Sequence, residues 1–308
     1  MAAEGNKILV TGATGQVVRQ AVYDLAETND VWCLGRFGDP DVRGDLEKHG
    51  VTLAHWNMTA DTQLKDVPSD FDYVLHAAVL RENYSDFAAA IDVNCIAAAT
   101  IMQHCRDAKA FIHVSTSGVY KEVEPEHLYL ETDALGGARG TMHEAYGIGK
   151  LAAEGTVGAL CRLFDLPTVI ARMNVAVGPY GHGGVVARFF KAIAAGEAIP
   201  VPADHSWYCS PIHTDDVARQ VPLFWEAASV PANTINWGGD DKVVDREIMS
   251  HITDIAGLEL KTVVSDQTLH MTASEPTKRL SITGPCKVGW REAIRRAMEA
   301  HFPDSVKN

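Results

Sequence analysis

The chain has 308 residues, 46% of them hydrophobic and 22% charged, with a formal net charge of −13. That length and balance fit a globular α/β protein with a full core. The acidic excess, without any Lys/Arg run, excludes nucleic acid and an anionic membrane surface as expected partners. The longest apolar stretches are strand-sized, and Met1–Asn6 has neither a basic n-region nor an apolar h-region. A cytoplasmic protein with no membrane partner is therefore expected. Six scattered cysteines show no Cys-x-x-Cys spacing, and His182 and His205 have no second ligand at a metal-binding interval. No metal is expected.

The chain opens on a βα unit. Ile8-Leu9-Val10 reads as a buried strand, broken at Thr11-Gly12 and followed by helical spacing through Val17, Val18, Ala21, Val22 and Leu25. Gly12 and Gly15 let the backbone turn sharply beneath a ligand, with the N–H groups of the new helix facing it. Val18 stands where a third glycine usually gives close helix–strand packing. Asp30–Gly35 reads as a second parallel strand. Its last position carries no acid for a ribose 2′-hydroxyl, and Arg36 follows with a guanidinium suited to a 2′-phosphate, which favours NADP with NAD as the alternative. Val51–His55 and Phe71–His76 are further strands, the latter passing into Ala77-Ala78-Val79, small enough for a flat cofactor to lie against the backbone.

Phe87–Cys105 reads as a long alanine-rich helix, with Asn94 in its middle needing a partner for its amide. Phe111–Val114 is a strand leading to Ser115-Thr116. Leu128–Met142 reads as a loop of about fifteen residues, long enough to suspect function. It delivers Tyr146-Gly-Ile-Gly-Lys150 to a helix running from Glu144 to Phe164, where Tyr146 and Lys150 stand one turn apart. An ammonium there favours the phenolate, which suits a proton donor and acceptor for an alcohol or ketone. Thr168–Arg172 is a sixth strand, followed by Met173-Asn174. Helices over His182–Ala194, Asp215–Ala227, Asp245–Ile255 and Val288–His301, with strands such as Thr234–Trp237 and Leu260–Val264, read as a smaller lobe closing over the sheet.

The ordered set Thr11-Gly-Ala-Thr-Gly15, His76-Ala-Ala78, Asn94, Ser115-Thr116, Val119-Tyr120, Tyr146-Gly-Ile-Gly-Lys150, Arg172, Gly178-Pro179 and Pro211–Asp216 resembles the extended short-chain dehydrogenase/reductase family, which includes NAD(P)-dependent sugar epimerases and dehydratases. The resemblance implies a doubly wound Rossmann-type parallel sheet at 1–175 with a smaller C-terminal α/β substrate lobe at 176–308, the chain being free to cross between them. It implies Tyr146 as acid/base, Lys150 on the nicotinamide ribose, Thr116 on the reacting oxygen and Asn94 as a brace. Gly12, Thr14, Gly15, Gln16 and Val17 would surround the pyrophosphate, Asn57 and Met58 the adenine, Ala77, Ala78 and Val79 the cofactor's flat face, and Met173, Asn174 and Val175 the nicotinamide. A homodimer through the two alanine-rich helices is expected.

The departures bear on substrate. Ser117-Gly118 stand where the 4,6-dehydratases carry an acidic pair, which disfavours dehydration. Val175 and Cys209 replace an asparagine and an arginine that hold a sugar-nucleotide diphosphate, leaving Arg188, Lys191 and Arg219 as the cations able to compensate. Trp207 and Tyr208 are expected near the mouth of the site, as substrate contacts or as packing of the lobe. The expected activity is hydride transfer at a secondary alcohol or ketone of a small molecule. A nucleotide-sugar epimerase using transient oxidation is one alternative, and a non-catalytic NADP-binding sensor is another.

Overall fold

A computed structural model describes residues 4–80, 86–136 and 144–307. The first half of the chain alternates strand and helix: β1 (Lys7–Thr11), α1 (Arg19–Ala26), β2 (Asp30–Gly35), α2 (Pro40–Lys48), β3 (Thr52–His55), β4 (Tyr73–His76), α3 (Phe87–His104), β5 (Ala110–Thr116) and α4 (Glu144–Phe164). β6 (Thr168–Met173) and β7 (Asn233–Trp237) complete a seven-stranded sheet, with α6 (Thr214–Glu226) between them in sequence. The strand order is β7-β6-β5-β4-β1-β2-β3 and every pairing is parallel. Central strands buried on both sides explain the uninterrupted apolar runs that the sequence shows.

Helices cover both faces. Val22, Val217, Val221 and Phe224 of α1 and α6 pack with Ile8, Val10, Ile112 and Val114 on one side. Ala97, Ala98 and Ile101 of α3 and Val157 and Cys161 of α4 pack with Leu9, Val74 and Phe111 on the other. The order reverses between β1 and β4, which opens a crevice at their C-terminal ends.

A second core holds the smaller lobe together. It joins α5 (Gly184–Ala194), α7 (Asp245–Ala256) and α9 (Trp290–His301) around Phe189, Ile193, Ile252 and Ile294. Thr234–Trp237, expected in this lobe, instead pairs along β6 as the edge of the large sheet, and α6 packs on that sheet. Two helices escaped the sequence pattern, α2 and α8 (Thr277–Thr283). Leu128–Tyr129, read as loop, pairs with Ala273–Ser274, and the end of that expected loop, 137–142, lies outside the described residues. Among the described residues no helix is long and apolar enough to cross a membrane.

The contact between α3 and α4 is close enough to need a glycine. A Cβ on Gly149 would stand 2.6 Å from the carbonyl oxygen of Ala90 and 2.9 Å from its carbon. Gly149→Ala should therefore force the helices apart and lower stability by about 1–3 kcal/mol, read as a lower midpoint in urea unfolding.

Candidate active site

The crevice over the switch point is a cavity of about 730 Å³. Its floor begins where β1 ends. Gly12 has φ +78°, and a Cβ there would lie 2.8 Å from the Ala77 carbonyl carbon and 2.9 Å from the Ala78 nitrogen. Only glycine allows the two strand ends to come this close. The Thr11 hydroxyl accepts from the N–H groups of Ala77 (3.1 Å) and Ala78 (3.0 Å). Its own proton therefore goes to His76 Nδ1, at 2.8 Å.

Gly12, Thr14, Gly15, Gln16 and Val17 line the near wall of this cavity. The residue before α1, Val18, supplies no side-chain cap, and the first turn of the helix carries no acid. Beneath the turn Arg19 is 7% exposed, with Nη2 donating to the Thr14 carbonyl at 2.5 Å and Nε without a hydrogen-bond partner. Uncapped N–H groups, a helix dipole and a buried guanidinium together suit a pyrophosphate. Arg36 lines the cavity beyond β2, as do Asn57 and Met58 beyond β3 and Ala77, Ala78 and Val79 beyond β4. The Asn57 side chain accepts from Thr59 N and Oγ1. These walls fit an adenine dinucleotide.

The far wall carries the acid–base candidates. Thr116, Tyr146 and Lys150 line the same cavity with Met173, Asn174 and Val175. The Thr116 oxygen accepts from Gly118 N at 3.1 Å, which leaves its O–H to donate. Lys150 is 2% exposed, and its Nζ donates to the Val114 carbonyl at 2.6 Å. Burial draws the ammonium down to about 8, opposed by the carboxylate of Glu154. Asn94 does not line the cavity. It is buried within α3, donating to Ala90 O at 2.6 Å and accepting from Leu80 N at 3.1 Å, so it ties the segment after β4 to the helix.

Asn174 lies at the wall but its amide is already engaged. Oδ1 accepts from Val175 N (3.0 Å) and Ser210 N (2.9 Å), while Nδ2 donates to Thr272 O (2.6 Å) and Ser274 Oγ (3.2 Å). It fastens the end of β6 to the smaller lobe. Cys209 is fully buried in that lobe's core. Trp207 packs within the smaller lobe: it is 5% exposed, donates to Thr268 Oγ1 at 2.9 Å and stacks on His270 at 4.2 Å. Tyr208 also stands outside the cavity wall, with the Lys242 ammonium 4.1 Å from its ring centroid. Arg188 and Lys191 line a separate cavity of about 440 Å³ within the smaller lobe. Arg219 donates to Asp216 Oδ1 and Thr283 O, both at 3.0 Å.

Two groups beneath the site were not singled out by sequence, Arg19 and Glu154. Glu154 forms a buried ion pair with Arg172, Nη2 lying 2.8 Å from Oε2. A charge inside the apolar strand Thr168–Met173 is a signal that a buried partner must exist. His76 and His113 stack at 5.4 Å beneath Lys150, and neither ring nitrogen of His113 has a partner. No group of three metal-ligating side chains occurs among the described residues.

The family model described as NAD dependent epimerase/dehydratase matches residues 8–238. The UDP-N-acetylglucosamine 4-epimerase of Methanobrevibacter ruminantium, solved with UDP-N-acetylmuramic acid, superposes with a TM-score of 0.80 at 19% identity, covering 98% of this chain and 100% of that one. The UDP-glucuronic acid 4-epimerase of Bacillus cereus, solved with UDP-glucuronic acid and NAD, gives 0.80 at 20% identity over 96% and 98%. Among curated proteins, the hybrid PKS-NRPS synthetase tasS of Hapsidospora irregularis is 29% identical over 181 residues, which span 55% of this chain and 4% of the synthetase.

Desolvation holds His76 down at about 3 and His113 well below the usual imidazole value, with the Lys150 charge adding to both. Below the ordinary imidazole value near 6.5 the unfolded chain binds protons that the folded chain refuses, so stability is lost as pH falls from there toward 3. His113→Leu removes one such site. Its acid-unfolding midpoint should move to lower pH than that of the unsubstituted protein, measured by far-UV circular dichroism.

Proposed function

Because the chain belongs to the NAD dependent epimerase/dehydratase family, a family of enzymes, we propose that it oxidises or reduces a secondary alcohol or ketone of a small molecule, with Tyr146 as acid/base. The observation that carries this reading is the meeting of Thr116, Tyr146 and Lys150 with the Gly12–Val17 turn around one cavity. When bound, the nicotinamide accepts or supplies a hydride at the substrate carbon. Tyr146 exchanges the proton of the substrate oxygen. Thr116 donates to that oxygen and fixes its position. Lys150, still largely charged near neutrality, favours the phenolate and holds a ribose hydroxyl.

NADP is the proposed cofactor. Gly35 leaves space at the end of β2, and Arg36 brings a guanidinium to the cavity where a 2′-phosphate would stand. The division of labour at about residue 175 is part of the same proposal, with β7 and α6 crossing back to the cofactor side. So are a homodimer and a cytoplasmic location. All six cysteines are free thiols, which suits a reducing compartment.

A second reading, nucleotide-sugar epimerisation, is favoured by the solved relatives that carry UDP-sugars. Against it stand the buried Cys209, the engaged amide of Asn174 and the placement of Arg188 and Lys191 on a separate cavity. Each lost charge-assisted hydrogen bond removes about 1.5–3 kcal/mol from a diphosphate. In a thermal-shift titration NADPH should raise the melting temperature more than NADH, and UDP-glucose and UDP-glucuronic acid should leave it unchanged. A rise with either UDP-sugar would establish the second reading instead.

Tyr146→Phe removes the proton carrier and little else. Turnover of carbonyl substrates with NADPH should fall by about 10²-fold or more, while NADPH affinity measured by fluorescence quenching stays within a factor of a few. Near-normal turnover would reject the assignment.

A further inference from the structure

Glu154 lies on α4 four residues beyond Lys150 and eight beyond Tyr146, so the three share one face of the helix. It is 6% exposed, yet every direction from its carboxylate is answered. Oε1 accepts from the Ser115 hydroxyl at 2.5 Å and from Arg172 Nε at 3.0 Å, and Oε2 accepts from Arg172 Nη2 at 2.8 Å. Arg172 in turn donates through Nη1 to the Glu131 carbonyl at 3.0 Å and lies 4.8 Å from the centroid of the Tyr120 ring. Ser115 is the neighbour of Thr116 at the end of β5.

We propose that Glu154 is the positioning residue of the site: it sets a buried carboxylate one turn from Lys150 on the same face of α4, and its hold on Ser115 fixes the end of β5 that presents Thr116. The proposal rests on the reading of Lys150 as partner to Tyr146. Among the described residues the titratable groups around Lys150 are the following, together with the Tyr146 phenol one turn back on α4. His76 on β4 and His113 on β5 are held neutral by burial and contribute no charge near neutrality. Arg172 on β6 is a cation close behind Glu154. Glu154 is therefore the negative charge that opposes the desolvation of Lys150, and it also cancels Arg172. Replacing it with an amide keeps a hydrogen-bond acceptor for Ser115 but leaves Arg172 uncompensated, so both changes act on the lysine with the same sign.

The test titrates Lys150 directly. In protein carrying ¹³C at lysine Cε, the Lys150 resonance is assigned by its loss in Lys150→Arg and followed from pH 6 to pH 11 without any cofactor. The wild-type midpoint should fall at about 8. In Glu154→Gln it should fall lower by about one pH unit or more. Arg172→Gln removes the cation and leaves the carboxylate, so the midpoint should rise; this variant decides the question if Glu154→Gln does not fold. Ser115→Ala should leave the midpoint in place. Midpoints within 0.2 unit of wild type, on the order of the error of such a titration, in whichever charge variant folds would overturn the proposal. The alkaline limb of NADPH-dependent turnover, measured on phenanthrenequinone as a generic carbonyl substrate, should move as the resonance does. If the resonance moves and the limb does not, the role of Glu154 stands and the catalytic reading of Lys150 fails.

Discussion

The structure depends on one close approach, that of the end of β1 to the end of β4. There a glycine removes the Cβ that would collide with the Ala77 backbone, and a threonine hydroxyl accepts from the Ala78 N–H and shares that of Ala77 with the threonine's own carbonyl. The strand order reverses at the same point. A crevice at a reversal is a consequence of right-handed crossovers leading away on both sides. What makes this crevice usable is the tight junction, which brings the N-terminus of α1 and the backbone after β4 to a single wall. The same threonine fixes the His76 ring and so begins a row of side chains running under the cleft to Lys150.

Much of this was legible in the residues. β2 has the bounds that its apolar run predicts, and α4 begins and ends where its pattern does, because each is a long segment whose burial decides its conformation. α2 was missed for the opposite reason. Among its nine residues only Leu46 is buried, so there is no apolar stripe to read. The helix is held instead by the Asp39 carboxylate capping Asp41 and Val42 and by Pro40 in its first turn. Such capping signals were present in the sequence, but they are weak beside periodicity. Thr234–Trp237 was assigned to the wrong lobe because a strand's composition tells that it is buried and not which neighbour it pairs with.

The site shows the same division. Every residue expected around the cofactor lines one cavity, since those positions lie at strand ends and a helix start whose order in the chain fixes their place in the fold. Asn174 shows the limit. An asparagine at the end of a strand beside the cleft reads as a ligand contact, and no sequence pattern reveals that Ser210, Thr272 and Ser274 converge on its amide from segments 36 to 100 residues away. Trp207 shows it too: its partners His270 and Thr268 are about sixty residues distant in sequence, so its packing role depends on tertiary structure alone.

Electrostatics joins the two halves of the site. In a chain of net charge −13, the cleft is underlain by three buried cations, Arg19, Lys150 and Arg172. Arg19 stands beneath the turn, Lys150 beneath the far wall and Arg172 behind it. Only Arg172 has a carboxylate in direct contact, through Glu154. Isolated cations of this kind are costly to bury, and proteins retain them where a charge in the bound state repays the desolvation. A dinucleotide pyrophosphate is such a charge, and a developing phenolate is another. The net negative charge of the chain acts in the opposite direction, opposing the approach of anions in general. Arg19 behind the turn and Lys150 at the far wall are thus separate charges at the two ends of one cleft, and Glu154 is the buried carboxylate set between Arg172 and the helix face that carries Lys150.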